Sequence, residues 1–154
     1  MAKLKIGVMG AYRGKTMIDV LMVYREDAEL VAICDMFEPA LKNVKHQAED
    51  LGLNDITYYT EFDEFIKHDM DAVVLANYAN EHAPFAVKCL KAGKHVLCEK
   101  PMVFKKAQAE ELYELAKEKN VVLIKKLAVI GLVLCVLLLK FLYVVVPQET
   151  LETN

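Results

Sequence analysis

The sequence predicts an α/β domain built as a doubly wound parallel sheet, with helices on both faces. Three observations predict it. Apolar runs of four to five residues, short enough for strands buried on both faces, recur along the chain. Segments with helical spacing of apolar residues alternate with them, separated by short Gly, Pro and Asp breaks. A glycine-bearing turn joins the first strand to the first helix. Right-handed crossovers then make the doubly wound arrangement the natural one.

The elements follow in order. Ile6–Met9 is the first strand, ended by Gly10. Thr16–Tyr24 carries Met17, Val20, Leu21 and Tyr24 at helical spacing. Leu30–Cys34 is the second strand, ended by Asp35. Pro39 suits a first helical turn, Leu41, Val44, Ala48 and Leu51 stripe the helix, and Gly52 closes it. Ile56–Tyr59 is the third strand and Glu61–Ile66 a short helix. Ala72–Ala76 is the fourth strand. Ala83–Ala92 is a helix with Ala86, Cys89 and Leu90 inward, closed by Gly93. His95–Cys98, a helix over Ala107–Lys119 and a sixth strand at Val121–Ile124 complete the pattern.

Composition narrows the function. The chain has 154 residues, 55% hydrophobic and 27% charged, with a net charge of −3. The hydrophobic content excludes disorder for most of the chain. The absence of a basic excess disfavours general nucleic-acid binding. Cys34, Cys89, Cys98 and Cys135 lie in or beside apolar stretches and form no CxxC pair. His95 and Cys98 make a lone pair without zinc-site partners, so no metal site is expected. Buried free thiols and an N-terminal apolar run too short for a signal peptide imply a cytoplasmic protein.

Residues 1–126 read as the α/β domain and 127–154 as a distinct tail. Leu127–Val146 is apolar except for Lys140, and Pro147 ends the run. The run approaches the ~20 residues that cross a bilayer, and Lys125 and Lys126 suit positive-inside placement. Lys140 opposes a membrane anchor, because an ionised lysine at a helix centre costs roughly 2.5–3.5 kcal/mol. Packing on the domain, or association of two chains into a homo-oligomer, would also shelter the run and is preferred to the anchor, because the rest of the chain reads as a soluble domain. An out-of-frame translation with no selected role is the third reading.

Gly10-Ala11-Tyr12-Arg13-Gly14-Lys15-Thr16 lies where a dinucleotide fold turns from strand to helix. Glycine permits a tight turn, and the helix N-terminus offers N–H groups and positive dipole to a pyrophosphate. The match to GxGxxG is incomplete: Tyr12 stands at the second glycine and Gly14 arrives one residue early. A phosphate-binding P-loop needs four residues between its glycines, and this turn has three, which sets that reading aside. A strand–helix turn with no ligand is the alternative. Asp35 ends the second strand, where a carboxylate accepts both ribose hydroxyls of an adenosine. It would repel a 2′-phosphate, and Met36 and Phe37 supply no arginine, so NAD is favoured over NADP. A capping or loop-facing carboxylate is the plainer role for Asp35. At the end of the fifth strand, Lys100 can hold a ribose hydroxyl or polarise a substrate oxygen, or simply pair with neighbouring charge. The Lys100-Pro101 bond is a candidate cis peptide.

Three stretches carry a family resemblance: Ile6-Gly7-Val8-Met9-Gly10 with Arg13-Gly14; Val31-Ala32-Ile33-Cys34-Asp35; and the block from Asp71 to Pro101. That block holds Asp71–Ala76, His82-Ala83, Ala92-Gly93-Lys94-His95-Val96 and Glu99-Lys100-Pro101. Lys5–Met102 thereby resembles the N-terminal domain of the glucose–fructose oxidoreductase/inositol dehydrogenase (Gfo/Idh/MocA) family, more loosely as far as Ile124. The resemblance implies a Rossmann fold, a nicotinamide dinucleotide cofactor and a sugar or polyol substrate. It implies that Gly10, Tyr12, Arg13 and Gly14 surround the pyrophosphate and that Asp35 holds the adenosine ribose. Asn77 and His82 would lie beside the nicotinamide half, with Glu99 and Lys100 near its ribose and the substrate; taken alone, His82 reads equally as a helix-start histidine bonded to backbone. Lys100 is the candidate catalytic residue. The family's second domain, which by the same resemblance supplies the substrate pocket and an acid–base pair, has no counterpart here. The expected chain is therefore a truncated enzyme or a stand-alone cofactor-binding module.

Overall fold

A computed structural model describes residues 2–125. The tail, its passage from the domain at 126 and Cys135 lie outside them. Among the described residues no helix is long and apolar enough to cross a membrane.

Among the described residues six strands alternate with five helices. They are β1 (Leu4–Met9), α1 (Ala11–Val23), β2 (Ala28–Cys34), α2 (Glu38–Asp50), β3 (Thr57–Tyr59), α3 (Phe62–Phe65), β4 (Ala72–Leu75), α4 (His82–Lys91), β5 (His95–Cys98), α5 (Lys106–Lys119) and β6 (Leu123–Lys125). A 3-10 turn, Ala79–Glu81, precedes α4. All strand pairings are parallel. The order β3-β2-β1-β4-β5-β6 is the doubly wound arrangement, with its reversal between β1 and β4.

The period-2 geometry of the strands divides their side chains between two cores. Ile6, Val8, Val74 and Leu97 face α1 and α2, packed with Met17, Ile18, Leu21, Leu41 and Val44. Met9, Val73, Leu75, Val96 and Cys98 face the other side with Phe65, Ala86, Cys89, Leu90 and Leu112. Gly7 lies among them because a Cβ there would meet the Met70 sulfur and the Phe65 ring. The register between β1 and β2 shifts at this point, between Ile6 and Gly7. Burial pushes the Cys34 and Cys98 thiols up to about 12 and raises that of Cys89 as well; none of the three is in a disulfide.

Most boundaries shift by one or two residues from the sequence reading, and three differences bear on packing or the site. Leu51 follows α2 and is 42% exposed, outside the helical stripe. Val121 and Val122 precede β6, because Asn120 in the left-handed region (φ 53°) redirects the chain after α5. Asparagine tolerates that conformation better than most residues. The third difference concerns the start of α1.

Candidate active site

The site is assembled by the C-terminal ends of four adjacent strands. The sheet ladder continues one residue past each end. The N–H of Gly10 donates to Cys34 O, that of Asp35 to Tyr59 O, that of Ala76 to Met9 O and that of Glu99 to Leu75 O, at 2.8–3.1 Å. These bonds set Asp35, Gly10, Ala76 and Glu99 side by side along one edge. With neighbouring strands about 4.8 Å apart, Asp35 and Glu99 sit roughly 14 Å from each other across the β1/β4 reversal.

α1 begins at Ala11, five residues before the expected Thr16. Gly10 makes the whole turn, with φ 101° and ψ 85°. A Cβ at Gly10 would approach the Ala76 carbonyl carbon to 2.5 Å and the Asn77 nitrogen to 2.6 Å, so the turn closes directly on the end of β4. Ala11 is buried in the core and draws the helix start inward. Tyr12, Arg13 and Gly14 therefore belong to the first turn of α1 and not to a loop. Tyr12 is 77% exposed, with the Lys15 ammonium 5.6 Å from its ring centroid.

Asp35 caps this helix from the neighbouring strand. Its Oδ2 accepts the Ala11 N–H at 2.8 Å, and its Oδ1 accepts the Phe37 N–H at 2.9 Å. The first bond satisfies one of the free N–H groups of a helix start and sets a negative charge against the positive dipole end. The second is an Asx turn that fixes the β2–α2 loop. The capping role considered for Asp35 is thus real. A carboxylate has about four acceptor directions, and two bonds leave capacity for a ligand.

On the other side of Gly10, the amide nitrogen of Asn77 donates to Glu81 at 3.1 Å. Its Oδ1 is buried, with no hydrogen-bond partner among the described residues. His82, the first residue of α4, is 1% exposed. Its Nδ1 lies 2.8 Å from Pro101 O and its Nε2 3.2 Å from Asn77 O. Both nitrogens thus meet backbone carbonyls. Lys100 is exposed, Glu99 is half-buried, and the Lys100-Pro101 peptide is cis, as the sequence allowed.

The structure therefore brings Gly10, Tyr12, Gly14, Asp35, Asn77, His82, Glu99 and Lys100 to one edge of the sheet, with the backbone of Arg13 in the same turn. Sequence reasoning did not identify the Ala76 backbone on which Gly10 closes, nor the Pro101 carbonyl. A backbone atom carries no residue-type signal, although a strand-end glycine and an X-Pro dipeptide pointed to the neighbourhood of each. Nor did it identify the exposed apolar rim of Tyr12, Met36, Phe37, Tyr78 and Phe104 along this edge. A cavity of about 530 Å³ lies at the opposite edge, lined by Lys5, Arg25, Glu29, Leu53 and Asp69 among others, and a smaller one sits beside α2 and Tyr58. Neither touches the predicted site residues.

The fit to a nicotinamide dinucleotide is set by these features. A helix start with backbone N–H groups at the topological reversal suits a pyrophosphate. A carboxylate with spare acceptor capacity stands at its adenosine side, and a buried acceptor and a lysine stand at the other.

Residues 4–127 match the family model described as "Oxidoreductase family, NAD-binding Rossmann fold". Myo-inositol 2-dehydrogenase of Thermotoga maritima is 34% identical over 121 residues, which are 78% of this chain and 35% of that protein. The WlbA dehydrogenase of Bordetella pertussis, in complex with NADH and UDP-GlcNAcA, superposes with a TM-score of 0.73 at 25% identity, over 81% of this chain and 37% of that one. The 3-ketoreductase KijD10 of Actinomadura kijaniata, in complex with TDP-benzene and NADP, gives a TM-score of 0.70 at 25% identity, over 81% and 37%. The chain thus spans little more than a third of the length of these relatives. On its sheet order, its helix-capped glycine turn and this match, the chain belongs to the Gfo/Idh/MocA oxidoreductase family, as its NAD-binding Rossmann domain.

Proposed function

We propose that the chain binds NAD in preference to NADP and serves as the dinucleotide-binding half of an oxidoreductase acting on a sugar or polyol. The observation that carries the reading is the Asp35 carboxylate, anchored at the start of α1 beside Gly10. In that position it accepts adenosine ribose hydroxyls and repels a 2′-phosphate. Met36 and Phe37, both exposed, follow it and offer no cation for such a phosphate. The backbone N–H groups of Tyr12, Arg13 and Gly14 receive the pyrophosphate. Rotation of the Asn77 side chain presents its buried Oδ1 to a hydroxyl or carboxamide donor of the nicotinamide half, relieving an unpaired acceptor that costs about 1–3 kcal/mol.

Bound nicotinamide supplies the hydride-exchanging carbon. Lys100, exposed at the end of β5, is the residue suited to hold the adjoining ribose or polarise a substrate oxygen. The substrate class rests on the names of the relatives: a myo-inositol 2-dehydrogenase, a dehydrogenase in complex with UDP-GlcNAcA and a dTDP-3,4-didehydro-2,6-dideoxy-alpha-D-glucose 3-reductase. His82 is held between carbonyls and Asn77 binds Glu81, so neither offers a proton relay. Rapid turnover therefore needs a proton-transfer group other than these two side chains. The three thiols among the described residues, all buried, suit a reducing cytoplasm. Residues 127–146, by their composition, favour association of two chains, with membrane anchoring as the competing outcome.

Titration calorimetry with both cofactors tests the reading. NAD is expected to bind more tightly, and Asp35→Ala to weaken it by about 1–3 kcal/mol. Equal affinity for NADP would remove the Asp35 role.

A further inference from the structure

The ladder between β4 and β5 ends at the bond from Glu99 N–H to Leu75 O. Beyond it the chain runs through Lys100 and Pro101 to Met102 outside any regular element. The ring of His82 takes over at that point. It is 1% exposed at the start of α4 and reaches Pro101 O through Nδ1 and Asn77 O through Nε2. One side chain thus spans the two loops that follow β4 and β5. These loops hold Asn77 and Lys100, the two groups assigned above to the nicotinamide side.

The acceptor chemistry is unusual, because both partners are carbonyls and neither can donate. A neutral imidazole carries one N–H and one lone pair. Placing the lone pair at 2.8 Å from Pro101 O would set two acceptors in contact, whereas 3.2 Å from Asn77 O is more tolerable. A singly protonated ring therefore carries its proton on Nδ1, and an imidazolium donates there as well, so the bond to Pro101 is made in either state.

We propose that His82 is a positioning residue: by donating to Pro101 O it holds the Glu99–Pro101 segment against the end of β4, and so sets the nicotinamide half of the site without touching the cofactor. This rests on the dinucleotide reading above. It separates the two halves of the site, because Asp35 and the start of α1 are held by other bonds. Loss of His82 then disturbs the nicotinamide side and leaves the adenosine–pyrophosphate side intact.

The test uses the full chain, its His82→Phe and His82→Gln variants, and two probes. NAD spans both halves, and ADP occupies only the adenosine–pyrophosphate half. His82→Phe is expected to weaken NAD about tenfold, the loss of one buried hydrogen bond, and to change ADP affinity by less than about twofold. His82→Gln, which retains a donor, is expected to recover part of the NAD affinity. Parallel losses for NAD and ADP, or unchanged NAD affinity, would overturn the proposal. A wild-type chain that binds neither probe would instead overturn the dinucleotide reading. Nitrogen-15 spectra of the wild-type imidazole give a readout independent of variant folding. A protonated Nδ1 is expected, and a ring protonated on Nε2 alone would refute the strut.

Discussion

Gly10 tolerates no side chain for two independent reasons. Its φ of 101° lies where L-residues are strained, and a Cβ would strike the Ala76 carbonyl carbon at 2.5 Å. Gly93 shares the positive φ, 71°, but a Cβ there meets nothing within 4 Å. The two positions separate conformational strain from steric overlap. Gly93→Ala is expected to lower unfolding stability by about 1 kcal/mol, and Gly10→Ala by about 2 kcal/mol or more. Urea midpoints of the two variants check this, and equal losses would mean that the close approach to β4 carries no weight. Asp35 was legible as a strand-end acid, but its double role was not. Its bond to Ala11 depends on α1 and β2 lying side by side, a juxtaposition formed across the sheet. Asp35→Ala is therefore expected to lose about 1 kcal/mol of stability as a helix cap as well as cofactor affinity. Thermal unfolding without cofactor isolates the first effect.

The elements show where local pattern and tertiary contact diverge. The central strands were readable because β4 and the C-terminal halves of β1, β2 and β5 are buried and apolar, and β5 has the predicted limits. α1 was misplaced because Tyr12, Arg13, Gly14 and Lys15 present no apolar stripe. Their helix is nucleated by the burial of Ala11 and by the cap from β2. The edge pair β5–β6 carries a titratable link. His95 Nδ1 accepts the Val122 N–H at 2.9 Å, and burial holds its pKa below 6.5 despite the opposing field of Asp71. The unfolded ring protonates as pH falls through about 6.5, while the folded ring stays neutral to lower pH. This contribution is complete above that pH and is lost below it, down toward the folded pKa. His95→Asn keeps an acceptor for Val122 and removes the titration. Its urea midpoint is expected to fall less than that of the wild type between pH 8 and pH 5. Identical slopes would remove His95 from the acid response.

At the scale of the molecule, parallel order gathers every strand C-terminus at one edge. The chain leaves β6 at that same edge. There the exposed rim of Tyr12, Met36, Phe37, Tyr78 and Phe104 lies beside the candidate site. The tail was read from composition alone and falls outside the described residues. Its proposed association gives a whole-chain prediction. The full chain is expected to be a dimer or larger by light scattering in detergent-free buffer, and a chain ending at Lys126 to be a monomer that keeps the α/β domain. A monomeric full chain with solubility equal to the shortened one would refute sheltering of the apolar run, and fractionation with membranes would favour the anchor. Turnover belongs to this scale too. With NAD and candidate polyols, NADH production by the full chain is expected to stay near that of Lys100→Ala, because His82 is held between two carbonyls and Asn77 is bound to Glu81. Rates well above that control would show that the chain is catalytically sufficient.

The sequence by itself determined the fold class, the six strands, their parallel sense and the edge at which Gly10, Asp35 and Glu99-Lys100-Pro101 emerge. These follow from hydrophobic periodicity and breakers, which act over a few residues and are written locally. Only the tertiary structure decided that Gly10 alone makes the turn, that Asp35 caps α1, and that His82 bridges two loops through carbonyls. The reason is physical. Each of these depends on backbone atoms from segments distant in sequence. Every residue presents the same N–H and C=O, proline lacking only the N–H, so only their arrangement in space tells which pair will meet.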